Sequence, residues 1–322
     1  MRIKTAISYN FDLLCFMNIL AANQSSIDEH KELFERFYPL VSSKLRRRMN
    51  FYTKFWGERL MSSPLTMLIS SLPNFNERNV IEMLKSRSEI KEAMGKTTYA
   101  FTRIQYWWFF KIINKVIIPL LEILENADFK DFWETERLPL LTKRCEELNE
   151  FMEQQNLNEL MNRFVTFDNL DFNVYLCSFV SPHGHRLCDN TMVSDYIYDN
   201  DTTLLVVTHE PFHPPYDYKK VQSAVDKLAN MPWVKAAYKS QSAGDRYYPI
   251  KEYIEENIVT ALGINVLVQV SNLLDPNEYF KERSNGAFVV SARFFDYLRE
   301  NEKDAGQSFE EYFIKFVDSL GV

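Results

Sequence analysis

Apolar residues recur at helical spacing through most of the first half of the chain, which predicts a series of packed helices. Residues 9–22 and 28–38 both place large apolar side chains on one face. The most apolar stretch, residues 104–124, also contains Lys111 and Glu122. Because charged residues interrupt this stretch, we expect a buried core helix here and no membrane span.

The hydrophobic pattern changes to alternation near residue 164. Residues 172–180 and 191–198 alternate apolar and polar positions, and the apolar run at 202–207 predicts a third strand. Together these segments indicate a small mixed or antiparallel sheet. Further helices are predicted at 218–229, 249–262, 288–302 and 309–320.

These elements predict an α+β fold that is predominantly α-helical. We divide the chain into a helical N-terminal region, 1–160, and a second region, 161–322. No linker between them demands a domain boundary, so we expect one compact unit. The predicted sheet leads directly into a short motif that carries the candidate chemistry.

The candidate chemistry lies in the sequence LLVVTHEPFHPPY, residues 204–216. His209, Glu210 and His213 have the spacing H-E-x-x-H, which places two imidazoles on one face of a helical turn, where both reach a single metal ion. Glu210 projects beside that ion and is placed to take a proton from a bound water. The chain has five histidines in all, so this motif arises by chance with a frequency on the order of one percent.

Two prolines shape the motif. Pro211 is tolerated only in the first turn of a helix, and Thr208 is a candidate N-cap that would make His209 the first helical residue. Pro214 disfavours the α conformation at His213. We therefore expect a single or distorted helical turn at this point.

Composition narrows the classes of partner. The 322 residues include 44 acidic and 37 basic side chains, which gives a net charge of −7. This acidic balance argues against general affinity for nucleic acids or anionic membranes. Asn10 and Asp12 interrupt the apolar N-terminal stretch, which argues against a signal peptide, and we expect a cytoplasmic protein.

A catalytic zinc site needs a third protein ligand beside the two histidines and an open position for water. No histidine follows His213, so a carboxylate from a later helix is the candidate. The predicted helix at 249–262 packs inward through its apolar residues and offers Glu252, Glu255 and Glu256.

The combination of HEPFH with a later helix reading EENIVTAL resembles the gluzincin-type zinc metallopeptidases. The segments YNFDLLCFMNILAAN and SARFFDYLRENEKDAGQSFEEYFIKF also resemble a family of uncharacterised bacterial proteins described as zinc peptidases. The resemblance implies a zincin-like active-site helix, Zn²⁺ ligation by His209, His213 and Glu256, and Glu210 as the general base. Glu255 and, less favourably, Glu252 are the alternatives for the third ligand.

In the mechanism of such enzymes, a metal-activated water attacks a peptide carbonyl while the glutamate accepts the proton and then delivers it to the leaving amine. The candidates for stabilising the oxyanion precede or lie on the third-ligand helix: Arg246, Tyr247, Tyr248 and Tyr253. The strand at 191–198 is a candidate sheet edge for pairing with an extended peptide substrate.

The remaining histidines have simpler interpretations. His183 and His185 flank Gly184, and we expect them at a solvent-exposed hairpin tip. We expect His30 to be solvated on a polar helix face.

Two alternatives to a peptidase remain open from the sequence. A non-catalytic helical interaction protein would carry the motif as a vestigial or structural metal site. A metal hydrolase of another kind would act on a bond other than a peptide. Metal content and the activity of a Glu210→Gln variant distinguish these hypotheses.

Overall fold

A computed structural model describes residues 2–21, 24–55, 62–96, 103–164, 171–180, 184–188, 190–242, 247, 249–271 and 274–321. These residues are predominantly helical and include a small four-stranded mixed sheet, which confirms the predicted α+β class. Contacts divide the chain into two compact units. The sheet unit comprises Ile3–Glu150 and Asp171–Tyr198, and the motif unit comprises Met1–Arg2, Phe151–Leu170 and Asp199–Val322. Residues 171–198, which the sequence assigned to the second region, thus belong with the N-terminal helices.

The strands and helices in and at the borders of the sheet unit are β1 Arg2–Ile7, α1 Tyr9–Leu20, α2 Gln24–Glu29, α3 Lys31–Phe37, α4 Ser43–Phe55, α5 Ser62–Ser70, α6 Val80–Lys85, α7 Arg87–Lys96, α8 Arg103–Ile112, α9 Ile118–Asn126, α10 Phe129–Phe132, α11 Leu138–Glu153, β2 Asp171–Cys177, β3 His185–Arg186 and β4 Thr191–Asp195. The predicted core helix at 104–124 is helical throughout, with a π-helical turn at Ile113–Ile117 between α8 and α9. Within the described ranges, no helix combines the length and apolarity that crossing a bilayer requires.

The sheet has the strand order β1–β2–β4–β3. Strands β2 and β4 run parallel, with Cys177 opposite Asp195, while β3 pairs antiparallel with β4. The prediction that residues 191–198 form a free edge for a peptide is therefore wrong, because β4 has β2 on one side and β3 on the other.

The motif unit contains α12 Leu157–Asn162, α13 Asn200–His209, α14 Tyr218–Asn230, α15 Pro232–Ser240, α16 Ile250–Val270, α17 Pro276–Glu282, α18 Val289–Glu300 and α19 Phe309–Ser319. Two 3₁₀ segments, Glu210–Phe212 and Arg283–Gly286, follow α13 and α17. The four helices predicted after the motif are confirmed, and α16 extends beyond its predicted end to Val270.

The predicted strand at 202–207 is wrong, because this segment belongs to α13. Asp199 caps the helix by accepting a hydrogen bond from the backbone N–H of Thr202 at 2.7 Å. The buried residues of α13 are Thr203, Leu204, Val207 and Thr208. Their spacing is helical and not alternating. Tertiary packing therefore overrides the local strand preference of the β-branched residues in this run.

Helix α16 is the central element of the motif unit. It is buried along most of its length from Tyr253 to Leu267 and packs against α13, α14 and α18. A helix that is apolar on all sides is expected where neighbouring helices enclose it. A carboxylate on such a helix must therefore face a specific partner, and Glu256 is one of these carboxylates.

Candidate metal centre

The two motif histidines lie at and just beyond the C-terminal end of α13. His209 is the last residue of this helix, Glu210–Phe212 forms a 3₁₀ turn, and His213 is extended with φ −83° and ψ 129°. This turn brings the Nε2 atoms of His209 and His213 to 3.2 Å from each other. The assignment of His209 as the first residue of a helix is therefore wrong, whereas the expected distortion of the turn is present.

The prolines explain why the helix changes its winding here. Pro211 lies in the first turn of the 3₁₀ segment, where its missing N–H costs little. Pro214 disfavours the α conformation at His213, and Phe212, which is fully buried, packs the turn into the core. Thr208 is not an N-cap, since it lies near the end of α13 and its hydroxyl donates to the carbonyl of Leu205.

Helix α16 places Glu256 against both histidines. Its Oε1 lies 3.5 Å from Nε2 of His209, and its Oε2 lies 3.5 Å from Nε2 of His213. The side chain of Glu256 is 9% exposed, and those of His209 and His213 are 20% and 22% exposed. The cluster is thus largely removed from water but still open to it on the histidine side.

The closest approaches between the side chains of this cluster are similar to the spacing of ligand atoms around one tetrahedral ion. Zinc–ligand bonds of about 2.0–2.1 Å place neighbouring ligand atoms about 3.4 Å apart in a tetrahedron. The closest approaches among His209, His213 and Glu256 are 3.2, 3.5 and 3.5 Å, and the last two involve Oε1 and Oε2 of Glu256 respectively. The three side chains also offer ligand atoms that all lie within 4.8 Å of one another.

The other two candidate carboxylates of α16 are placed differently. Glu255 directs Oε1 to Nδ1 of His213 at 3.4 Å, on the other side of the ring from the cluster. Glu252 is exposed in the first turn of the helix and is not among the residues that converge. Glu256 is therefore the carboxylate that reaches the Nε2 atoms of both histidines.

The close approach of α16 to the end of α13 determines how near Glu256 lies to the motif histidines. Gly263 lies seven residues after Glu256, hence on the same face of α16. A Cβ atom at this position would lie 3.1 Å from the carbonyl oxygen of Thr208 and 3.2 Å from Cα of His209. The backbone of α16 can therefore lie against the end of α13 because residue 263 lacks a side chain.

Polar contacts with α18 fix the rotation of α16. The side-chain oxygen of Asn257 accepts a hydrogen bond from the backbone N–H of Ser291 at 3.0 Å, and the Ser291 hydroxyl donates to the Asn257 carbonyl at 2.8 Å. Both residues are fully buried. Because Asn257 directly follows Glu256, this contact also fixes the direction of the carboxylate.

Tyr253 does not fit the role of oxyanion donor. Its side chain is fully buried, and its hydroxyl donates to the carbonyl of Ala287. Tyr247 is half-buried, and its backbone N–H donates to Gln241. The other two candidates, Arg246 and Tyr248, lie outside the described residues.

The two imidazoles differ in their protonation equilibria. Burial lowers the pKa of His209 to about 4, although the nearby Glu256 carboxylate opposes this shift. Burial also lowers the pKa of His213, but the hydrogen bond with Glu255 and the charges of Glu210 and Glu256 outweigh it, so the net shift is upward. At neutral pH the ring of His209 is therefore neutral, with a lone pair on one of its two nitrogens.

Two further charges act on the cluster. The carboxylate of Glu210 is among the groups that raise the pKa of His213, and the guanidinium of Arg283 is among those that lower the pKa of His209. Glu210 is partly exposed at the turn between the two histidines. Its charge thus acts on the ring of His213, and its role as a general base stays a prediction.

Two histidines outside the motif are less exposed than predicted. His30 is half-buried with its ring edge against Phe179, and burial lowers its pKa. His185 lies in β3 with Nε2 at 2.9 Å from the Thr66 hydroxyl, and burial lowers its pKa to about 4. The prediction of solvated rings is therefore wrong for both. His183 lies outside the described residues.

Comparison of the chain with protein-family models, with curated proteins and with solved structures found no match. The resemblance to gluzincin-type peptidases therefore stays a prediction that depends on the residues of the motif and of α16.

Proposed function

We propose that this chain is a zinc-dependent hydrolase that cleaves peptide bonds with metal-activated water. The observation that carries the proposal is the convergence of His209, His213 and Glu256 at separations of 3.2–3.5 Å. Two histidines and one glutamate are the protein ligands of one class of catalytic zinc site, in which the fourth position is left for water.

The chemistry of the cluster also favours a cation. Two imidazole nitrogens and a carboxylate present lone pairs to one point, and such atoms repel unless a proton or a metal ion lies between them. The low pKa of His209 makes this ring neutral at neutral pH, so one of its two nitrogens carries a lone pair. Zinc accepts this mixture of nitrogen and oxygen ligands, so the three residues would hold it.

In the proposed reaction, Glu210 carries out both proton transfers. Bound zinc would supply an acidified water and a polarised carbonyl. Glu210 would accept the proton of the attacking water and deliver it to the leaving amine. Its place beside His213 supports this role. A peptide as the substrate rests on the H-E-x-x-H resemblance, and the net charge of −7 argues against a nucleic acid.

The test combines metal analysis with a hydrolysis assay. The purified protein is stripped with a chelator, reloaded with Zn²⁺ and assayed on a mixture of quenched fluorescent peptides. We expect about one zinc per chain and hydrolysis that depends on it. Glu210→Gln should retain the zinc and lose activity by about 10²–10⁴-fold, the usual contribution of a general base. Glu278→Gln, the same change on the exposed face of α17, is the matched control and should keep both.

Each result separates one of the competing hypotheses. Full activity of Glu210→Gln would show that Glu210 is not the general base. One zinc per chain without hydrolysis of any substrate would indicate a structural site in an interaction protein. Hydrolysis of esters or phosphoesters but not peptides would indicate a hydrolase of another class. Wild-type protein without zinc would contradict the proposal as a whole.

A further inference from the structure

We propose that Glu255 is a positioning residue of the metal centre, which accepts the Nδ1–H of His213 and so keeps the Nε2 lone pair of that ring directed at the ion. This inference rests on the proposed zinc site but concerns a residue that the H-E-x-x-H motif does not specify. It assigns different roles to two consecutive glutamates that the sequence leaves as alternatives.

The two nitrogens of His213 face different carboxylates. Nδ1 lies 3.4 Å from Oε1 of Glu255, while Nε2 lies 3.5 Å from Oε2 of Glu256 and also faces His209. A neutral imidazole carries its proton on one nitrogen and a lone pair on the other. A carboxylate at Nδ1 holds the proton there, and the lone pair is then on Nε2, where the other ligands converge.

The geometry of α16 explains how adjacent residues reach opposite sides of one ring. Consecutive side chains point about 100° apart around a helix axis, so Glu255 and Glu256 diverge from a common stretch of backbone. Glu256 is on the enclosed side, with 9% of its side chain exposed, whereas Glu255 is on the outer side, with 35% exposed. The ring of His213 lies between the two carboxylates.

This arrangement excludes Glu255 as a ligand of the same ion. The two ring nitrogens of an imidazole point in different directions, so an ion bound at Nε2 of His213 is shielded from Glu255 by the ring itself. A carboxylate that orients a ligating histidine in this way typically contributes about 10- to 100-fold to metal affinity. The loss expected on its removal is therefore smaller than the loss of a direct ligand.

The test compares two substitutions at position 255 with one at position 256. Zinc affinity is measured by competition with a chromophoric chelator, and the tautomer of His213 is measured by nitrogen NMR of the metal-free protein at a pH at which the ring is neutral. Glu255→Gln should bind zinc nearly as wild type, because its amide oxygen still accepts the hydrogen bond. Glu255→Ala should bind one zinc about 10- to 100-fold more weakly. Glu256→Gln should lose more than either, and Glu278→Gln, an exposed residue of α17, is the control.

The outcomes distinguish this inference from the proposed function. If Glu255→Gln loses as much zinc affinity as Glu256→Gln, Glu255 is a ligand and the inference is wrong. If Glu255→Ala binds zinc as wild type with an unchanged tautomer, Glu255 has no positioning role, whether or not the protein hydrolyses peptides. If the expected order of affinities holds but no peptide is cleaved, the inference stands and the hydrolase proposal fails. Wild type without zinc affinity overturns both.

Discussion

Buried carboxylates occur in both units of the chain, and they differ in what their oxygen atoms face. In the sheet unit, Asp12 is fully buried and accepts hydrogen bonds from the indole N–H of Trp133 and the backbone N–H of Ser178. In the motif unit, Glu256 is almost as buried, but its oxygen atoms face the ring nitrogens of His209 and His213.

The difference separates a structural carboxyl group from a candidate ligand. Both oxygen atoms of Asp12 already have fixed N–H donors, so this group is satisfied without any further partner. Asp195, opposite Cys177 in the sheet, likewise accepts from the backbone N–H of Ile197. Around Glu256 the neighbouring atoms are nitrogen lone pairs when the neutral rings carry their protons on Nδ1, and a cation satisfies such a set.

Among the changes considered, removal of a motif histidine should produce the largest loss of zinc affinity. His209→Ala deletes a proposed direct ligand, so zinc affinity should fall by more than the roughly 100-fold upper limit for a supporting residue. His185→Ala removes a partly buried histidine that contacts Thr66 in the sheet unit, and it should leave one zinc per chain. Zinc titration of both variants checks this expectation. Equal zinc affinity in the two variants would contradict the proposed difference between the polar groups of the sheet unit and those of the motif unit.

The pH dependence of stability should report the buried carboxyl groups of the sheet unit. Burial raises the pKa of Asp12 from 3.8 to about 7. Between these two pH values the folded state binds the proton that the unfolded state has lost, so the free energy of unfolding should fall as pH rises. The full effect is on the order of 4 kcal/mol for one such group.

Urea unfolding at a series of pH values between 4 and 8 measures this dependence. Asp12→Asn should weaken it, because the amide does not titrate, and Asp195→Asn should act in the same way, since burial also raises the pKa of Asp195 to about 7. A pH profile of Asp12→Asn that is as steep as that of the wild type would contradict the assignment.

Zinc binding should depend on pH with the opposite sign. The pKa of His213 is raised above its usual 6.5, so protons compete with zinc for this ring as the pH falls through that region. The apparent dissociation constant should then increase by about tenfold for each pH unit. His209, with a pKa of about 4, should add a second proton only in more acidic solution. Zinc titrations from pH 5 to 8 test this, and a flat profile would exclude His213 as a ligand.

The sequence predicted the helical class and three converging side chains, but not the details that orient them. Periodicity identified α1 and α16, and the H-E-x-x-H spacing identified His209 and His213. The prediction of a strand at 202–207 was wrong, because β-branched residues favour strands locally, whereas this run packs as part of α13.

The sequence favoured Glu256 over Glu255 only through the resemblance to gluzincins, because the choice depends physically on the rotation of α16 about its axis. That rotation is fixed by the contact of Asn257 with Ser291, which is 34 residues away in the chain. The strands β1 and β3 were not predicted either. Strand β3 has only two residues, which is too short for a periodic signal.

The smallest expected effect concerns Gly263, whose missing side chain lets α16 approach His209. Gly263→Ala should gain helix propensity, worth about 0.5–1 kcal/mol. Its Cβ, however, would lie 3.1 Å from the Thr208 carbonyl oxygen, and such crowding typically costs about 1–3 kcal/mol. We expect a net loss of stability together with weaker zinc binding, since the end of α13 must move away from Glu256. Gly95→Ala in α7 is the matched control, because a Cβ there meets no atom within 4 Å, and this variant should be slightly stabilised. Calorimetry and zinc titration measure both effects, and unchanged zinc affinity in Gly263→Ala would show that the close approach does not position the cluster.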